Sequence, residues 1–163
     1  MTVRVYVPST LHRLRRIVTA SGIGPAPFAG HAVTDAVRSE LADGGDEEWE
    51  YAASTAAAQS SVGLLHDDEA ARRIVLAVDV PGARSAGLDD PTVVEVDEVV
   101  PFHRIAAVLA DSQEAEADVA AARDALRQGR AEAAALLDRC LDHELGWWAA
   151  QELGDLLDSG SAR

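Results

Sequence analysis

The run Arg73-Ile74-Val75-Leu76-Ala77-Val78-Asp79-Val80 constrains this chain more than any other feature. It is almost continuously apolar and rich in β-branched residues. A strand of that kind needs apolar cover on both faces, so it predicts a central strand in a sheet packed with helices. Pro81 and the Gly/Asp/Pro-bearing stretch to Pro91 close it off.

The flanking segments supply the cover. Val3, Val5 and Val7 alternate with Arg4 and Tyr6, which predicts a half-buried strand ended by Pro8. Ser9 or Thr10 then caps a helix striped by Leu11, Leu14, Ile17 and Val18. Gly22 and Gly24-Pro25 stop it. A short strand interrupted by Gly30 is expected over Phe28 to Val33. Thr34 caps a two-turn helix through Leu41. Asp46-Glu47-Glu48 opens the next helix, where acidic residues complement the macrodipole. Its expected stripe is Trp49, Ala53, Ala56, Ala57, Ser60 and Leu64, small enough for close helix-to-sheet packing. Thr92 to Val100 and Ile105 to Leu109 read as further strands. Asp111 or Ser112 starts a helix striped by Ala115, Val119, Ala122 and Leu126, ended by Gly129. Ala131 to Leu157 reads as helical with a break at Gly146. In that reading Trp148 anchors a core stripe with Leu141, Leu145, Leu153 and Leu156, while Trp147 lies about 100° around it.

This order predicts an α+β fold: a mixed, mostly antiparallel sheet of about five strands packed with helices, ending in a C-terminal helical segment. Residues 1–158 are expected to form one domain, with 159–163 a frayed tail.

Composition removes several functions. The chain has 163 residues and formal charge −14, and all 14 of its basic residues are arginine. Without lysine there is no Schiff-base chemistry. The acidity argues against a nucleic-acid partner, since phosphate neutralisation needs a basic surface. No apolar run is long enough to span a membrane. With no export-signal layout at the start and one unpaired cysteine, Cys140, a cytoplasmic location is expected.

No complete catalytic or metal motif is present. Gly22-Ile23-Gly24-Pro25 lacks the third glycine of a dinucleotide fingerprint and follows a helix. His66-Asp67-Asp68 suits a helix end better than a metal, which needs three or four converging ligands. His143-Glu144 is not followed by a second histidine. No metal site and no bound cofactor are therefore expected. Cys140, beside Leu137 and Leu141, reads as a buried, inert thiol. His12 with Arg13, Arg15 and Arg16 forms the only basic cluster, suited either to a phosphate or acidic partner or to a solvated face. The carboxylates concentrate in 43–50, 89–98 and 111–118. Only the middle group lies along a loop and strand, away from helix starts. Tyr6, His143 and Trp147 are the candidate binding residues, because tryptophan is a preferred interface anchor. Arg4, His31 and Glu95 are the catalytic candidates.

Two resemblances follow. Arg4-Val5-Tyr6-Val7-Pro8, the Asp46 to Tyr51 helix opening and Asp142-His143-Glu144-Leu145…Trp147…Ala149-Ala150-Gln151-Glu152-Leu153 resemble an actinobacterial family of unknown function over nearly the whole chain. This implies a small soluble bacterial protein and no activity. The order of elements is also similar to the ADP-ribosyltransferase superfamily. That resemblance implies Arg4 holding a dinucleotide and Glu95 or Asp97 polarising the ribose of NAD. Gly30-His31-Ala32 stands where that superfamily has a serine- and threonine-rich stretch. Two readings result: a non-catalytic, protein-binding or regulatory module, and an NAD- or nucleotide-binding ADP-ribosyltransferase-like enzyme. A third reading, a DNA mimic, would use the acidic surface.

Overall fold

The computed structural model describes residues 1–87 and 89–161. Its strands are β1 (Val3–Ser9), β2 (Gly22–Ile23), β3 (Phe28–His31), β4 (Ile74–Val80), β5 (Arg84–Ser85), β6 (Val93–Val96), β7 (Val100–Pro101), β8 (Ile105–Ala110) and β9 (Gly146–Trp148). Its helices are α1 (Leu11–Ala20), α2 (Asp35–Glu40), α3 (Asp46–Val62), α4 (Glu116–Arg127), α5 (Ala133–Cys140) and α6 (Leu153–Ser159). Seven strands form one antiparallel sheet in the order β5-β6-β3-β1-β4-β8-β9, and β2 pairs with β7 separately. The α+β class is as expected, with more strands than the expected five. The additional strands are two or three residues long, too short to show a period.

β1 and β4 form the middle of the sheet and pair along their whole length, from Val3 facing Val80 to Ser9 facing Ile74. Alternation divides their side chains between two faces. On one, Val5, Val7, Ile74, Leu76, Val78 and Val80 pack against Leu11 and Leu14 of α1 and Leu153 and Leu156 of α6. On the other, Tyr6, Val75 and Ala77, with Ala107 of β8, meet Ala53, Ala57 and Ala58 of α3. The alanines let α3 lie close to the sheet. A third cluster joins the end of α3 to α4 and α5 through Val62, Leu65, Val119, Ala122 and Cys140.

Local chemistry sets the boundaries. Thr10 and Thr34 cap α1 and α2, their hydroxyls accepting from the Arg13 and Val37 amides at 3.2 Å. At α3 the Glu48 carboxylate accepts the Gly45 amide at 2.8 Å. Gly30 is required by close approach: a Cβ there would stand 2.5 Å from Val5 Cγ1.

Several expectations shift. The buried stripe of α3 is Ala53, Ala57, Ala58, Ser61 and Val62, so Trp49, Ala56 and Ser60 lie off it. Trp49 instead donates its indole N–H to the Leu41 carbonyl at 3.0 Å. On α4 Ala125 is buried in the place expected for Leu126, which is exposed. Asp111 does not cap a helix; it is a buried partner of Arg73. The largest correction is C-terminal. The helical segment expected over Ala131 to Leu157, with a break at Gly146, is α5, then the strand β9, then α6. Gly146-Trp147-Trp148 pairs with Ala110-Leu109-Val108 of β8. Strand pairing overrides the helical spacing of Leu141, Leu145 and Trp148. α6 runs to Ser159, and Ser161 accepts from Arg15, both inside the segment read as a tail. Residues 162 and 163 of that segment lie outside the described residues.

Candidate functional site

β9 is an edge strand, paired only with β8. Its alternation sends Trp148 to the aliphatic face, where it is partly buried. Trp147 goes to the α3 face opposite Leu109 and is 64% exposed. Beside it, between α3 and the segment joining α5 to β9, is a cavity of about 370 Å³. Tyr51, Ser54 and Thr55 form its helix wall, Leu109 its floor, and Leu141 and Glu144 the opposite wall. Tyr51 and Leu141 are themselves exposed, Tyr51 at 66%. A second, more apolar hollow continues on the other side of Tyr51 to Leu41, bordered by Glu47 and Glu48.

A buried ion pair holds this wall in place. The Arg73 guanidinium donates to both Asp111 oxygens at 2.7 and 2.8 Å, and the Arg73 amide donates to the same carboxylate at 2.8 Å. Both side chains are almost fully buried, at 2% and 0% exposure. The guanidinium also donates to the His143 carbonyl at 2.8 Å, fixing the loop that leads into β9. The His143 ring is hydrogen-bonded to Asp118 on α4 at 2.8 Å, and Arg139 pairs with the same carboxylate at 3.1 Å. These partners, His143 first, hold the Asp118 carboxyl below its usual pKa. His143 thus lines the cavity as a positioning residue. The sequence could not show this, because the bonds run between segments far apart in the chain.

The other candidates lie on strands β1, β3 and β6. Tyr6 and His31 face each other in register. Both point to α3: the Tyr6 hydroxyl donates to Glu50 at 2.6 Å, and the His31 ring meets Ser60 at 3.0 Å. Burial, then the Glu50 bond, pushes the Tyr6 phenol well above its ordinary pKa. Arg4 stands on the same face and is held by Asp79 through bonds of 2.7 and 3.2 Å. Glu95 alternates with the core residues Val94 and Val96, so it too faces the α3 side. It is bonded to Arg84, which also binds Asp97 at 2.9 Å. Each candidate is therefore engaged by a protein group. The middle carboxylate group resolves largely into these local bonds.

His31 lies in a directed chain. Thr92 Oγ1 donates to Asp90 Oδ1 at 2.6 Å, so it accepts from His31 Nδ1 at 2.8 Å. His31 Nε2 is then the acceptor for the Ser60 hydroxyl. Burial lowers the His31 pKa, against the opposing pull of Asp90, and so favours the neutral ring. Such a chain can polarise a hydroxyl. Ser60 lies inside α3, however, where the backbone N–H groups are used by the helix and offer no oxyanion hole. The chain's evident work is to join α3 to β3 and the β5–β6 connection.

Cys140 is buried, and burial raises its thiol pKa, as for an inert core cysteine. Among the described residues no group of three or more His, Cys, Asp or Glu is arranged to hold a metal ion. Among the described residues no helix is long and apolar enough to cross a membrane.

A family model described as a family of unknown function (DUF6912) matches residues 3–157. No curated protein and no solved structure matches the chain.

Proposed function

The chain belongs to this family of unknown function, and we propose that it is a protein-binding module that takes an extended, basic segment of a partner along β9. The observation that carries the reading is Trp147, exposed on an edge strand beside a groove of mixed polar and apolar lining. An edge strand presents unpaired N–H and C=O groups to which an extended segment can add. Trp147, Tyr51 and Leu141 supply the large, exposed apolar surface typical of interface anchors. Glu144 in the groove and Glu47 and Glu48 beside it favour a positively charged occupant. Arg73 does not oppose this, because Asp111 neutralises it. The net charge of −14 disfavours a second copy of the chain as the occupant, and disfavours nucleic acid for the same reason. The role fits a cytoplasmic regulator that needs no cofactor.

Calorimetric titration with ten-residue peptides alternating arginine and valine tests the reading, with a glutamate-and-valine series as control. The basic series should bind, and Trp147→Ala should weaken binding about thirtyfold, as for a central anchor. Equal binding of both series, or no effect of Trp147→Ala, would sink it.

One observation favours the second reading, an NAD-binding ADP-ribosyltransferase-like enzyme. Arg4, Tyr6, His31 and Glu95 share one face of the neighbouring strands β1, β3 and β6. NAD would have to displace Asp79 from Arg4 and Arg84 from Glu95. Titration with millimolar NAD decides it: no heat and no shift in melting temperature leaves this reading without support.

A further inference from the structure

The chain is strongly acidic, and most of its described arginines are engaged by carboxylates: Arg4, Arg38, Arg72, Arg73, Arg84, Arg123, Arg127, Arg130 and Arg139. Among the described residues the exceptions are Arg104 and three arginines gathered on α1. Among the described residues Arg13 and Arg16 have no side-chain partner, and Arg15 bonds only to the Leu157 carbonyl and the Ser161 hydroxyl. All three are exposed. They stand in the first two turns of the helix, the end where the macrodipole disfavours cations, and α1 has no acidic residue in its first turn. Arg13 and Arg16 are also spaced i, i+3, where like charges repel. Three local rules are broken together on a protein with carboxylates to spare. Such departures mark functional sites.

Two cavities meet at these arginines, and both are lined by Arg13 and Arg16. One, of about 490 Å³, is completed by His12, Arg15, His66 and Asp68. The His12 and His66 rings stack there at 6.3 Å. Asp68 is its one carboxylate. The other, of about 580 Å³, is largely apolar, with Ile17, Ile23, Pro25, Phe28 and Leu64 in its walls. Both lie in the size range of small-molecule sites, and an apolar cleft with a few convergent polar groups is the usual form of one. Neither shares a lining residue with the groove beside β9.

We propose that α1 and the β2–β3 segment form a binding site for a small organic phosphate. Arg13 and Arg16 clamp the phosphate, with Arg15 and the two histidines beside it. The apolar body of the ligand lies against Ile23, Pro25 and Phe28. Arginine suits this task because its planar fork donates two parallel bonds to a phosphate. The shared chemistry is a phosphate ester with an apolar or planar body, and a nucleotide and an alkyl phosphate both satisfy it.

The test titrates the full chain with ADP, hexyl phosphate and inorganic phosphate, by calorimetry and amide chemical-shift mapping. At least one ester should bind more tightly than inorganic phosphate and shift the amides of Arg13, Arg16, Ile23 and Phe28. Which ester does so identifies the source of the body. Arg13→Gln and Arg16→Gln should each weaken binding about tenfold, and together about a hundredfold. Arg130→Gln should leave it unchanged. Both helix positions are exposed, and an unchanged melting temperature verifies the fold of each variant. Three results would overturn the proposal: no ester bound at 5 mM, binding indifferent to the double substitution, or inorganic phosphate bound as well as both esters.

Discussion

The two faces of the main sheet are built on different principles. The face under α1 and α6 is closed by branched aliphatic side chains and Leu–Leu contacts. The face under α3 is closed by alanines and by polar links: Tyr6 to Glu50, His31 to Ser60, and Arg73 to Asp111 beside it. Aliphatic packing is non-directional, so it gives stability with little positional demand. The α3 face instead fixes positions by directed bonds and stops short of the edge, leaving the groove and Trp147 uncovered. Stability and surface display are thus divided between opposite sides of one sheet.

That contrast can be broken or sharpened by substitution. The largest effect is expected for Asp111→Ala, which leaves the Arg73 charge buried without its partner. A loss of about 3–5 kcal/mol by urea denaturation is anticipated. Replacing both residues with apolar ones should cost less than either single change; if it costs more, the pair is not a self-contained unit. Leu76→Ala on the aliphatic face should cost about 2–5 kcal/mol, depending on how far the site collapses. His31 gives a smaller, pH-dependent effect. Its folded pKa lies below the ordinary 6.5, so the unfolded chain takes up the proton first as pH falls. Its contribution is complete above that value and is lost as pH drops through the folded pKa. Urea midpoints measured from pH 7.5 to 4.5 should fall less steeply for His31→Gln than for the unaltered chain. Parallel profiles would remove His31 from the links that hold α3. Trp147→Ala should change stability by less than about 1 kcal/mol, as expected of an exposed position. Unfolding of this variant would make Trp147 part of the core and dissolve the contrast.

The aliphatic side was largely legible in the sequence. The 73–80 run, the alternation of Val3, Val5 and Val7, and the stripe of Leu11 and Leu14 each report burial through a local period. The threonine caps were legible because they act within three residues. The α3 side was not, because its order comes from pairs distant in sequence. Nothing near Asp111 announces Arg73, and nothing near Ser60 announces His31. Alanines match a helical stripe at several rotations, so the spacing places the buried face of α3 about one residue from where it lies. The C-terminal misreading has the same origin. Leu141, Leu145 and Trp148 fit a helical period, whereas the pairing of Gly146-Trp147-Trp148 depends on β8 alone. Trp147 is turned away from Trp148 in either arrangement, about 100° around a helix or to the opposite face of a strand.

The placement of β1 has a consequence for synthesis. Among the described strands the first to be translated, β1, sits mid-sheet, yet its long partner β4 follows only after α1, α2 and α3. Val5 and Val7 must therefore stay unpaired along one edge until Ile74 to Val80 has been made. β8 and then β9 add outward on the far side of β4. Among the described strands, the one that carries Trp147 is the last to be translated. A nascent chain therefore cannot offer that edge to a partner before the strands beneath it exist.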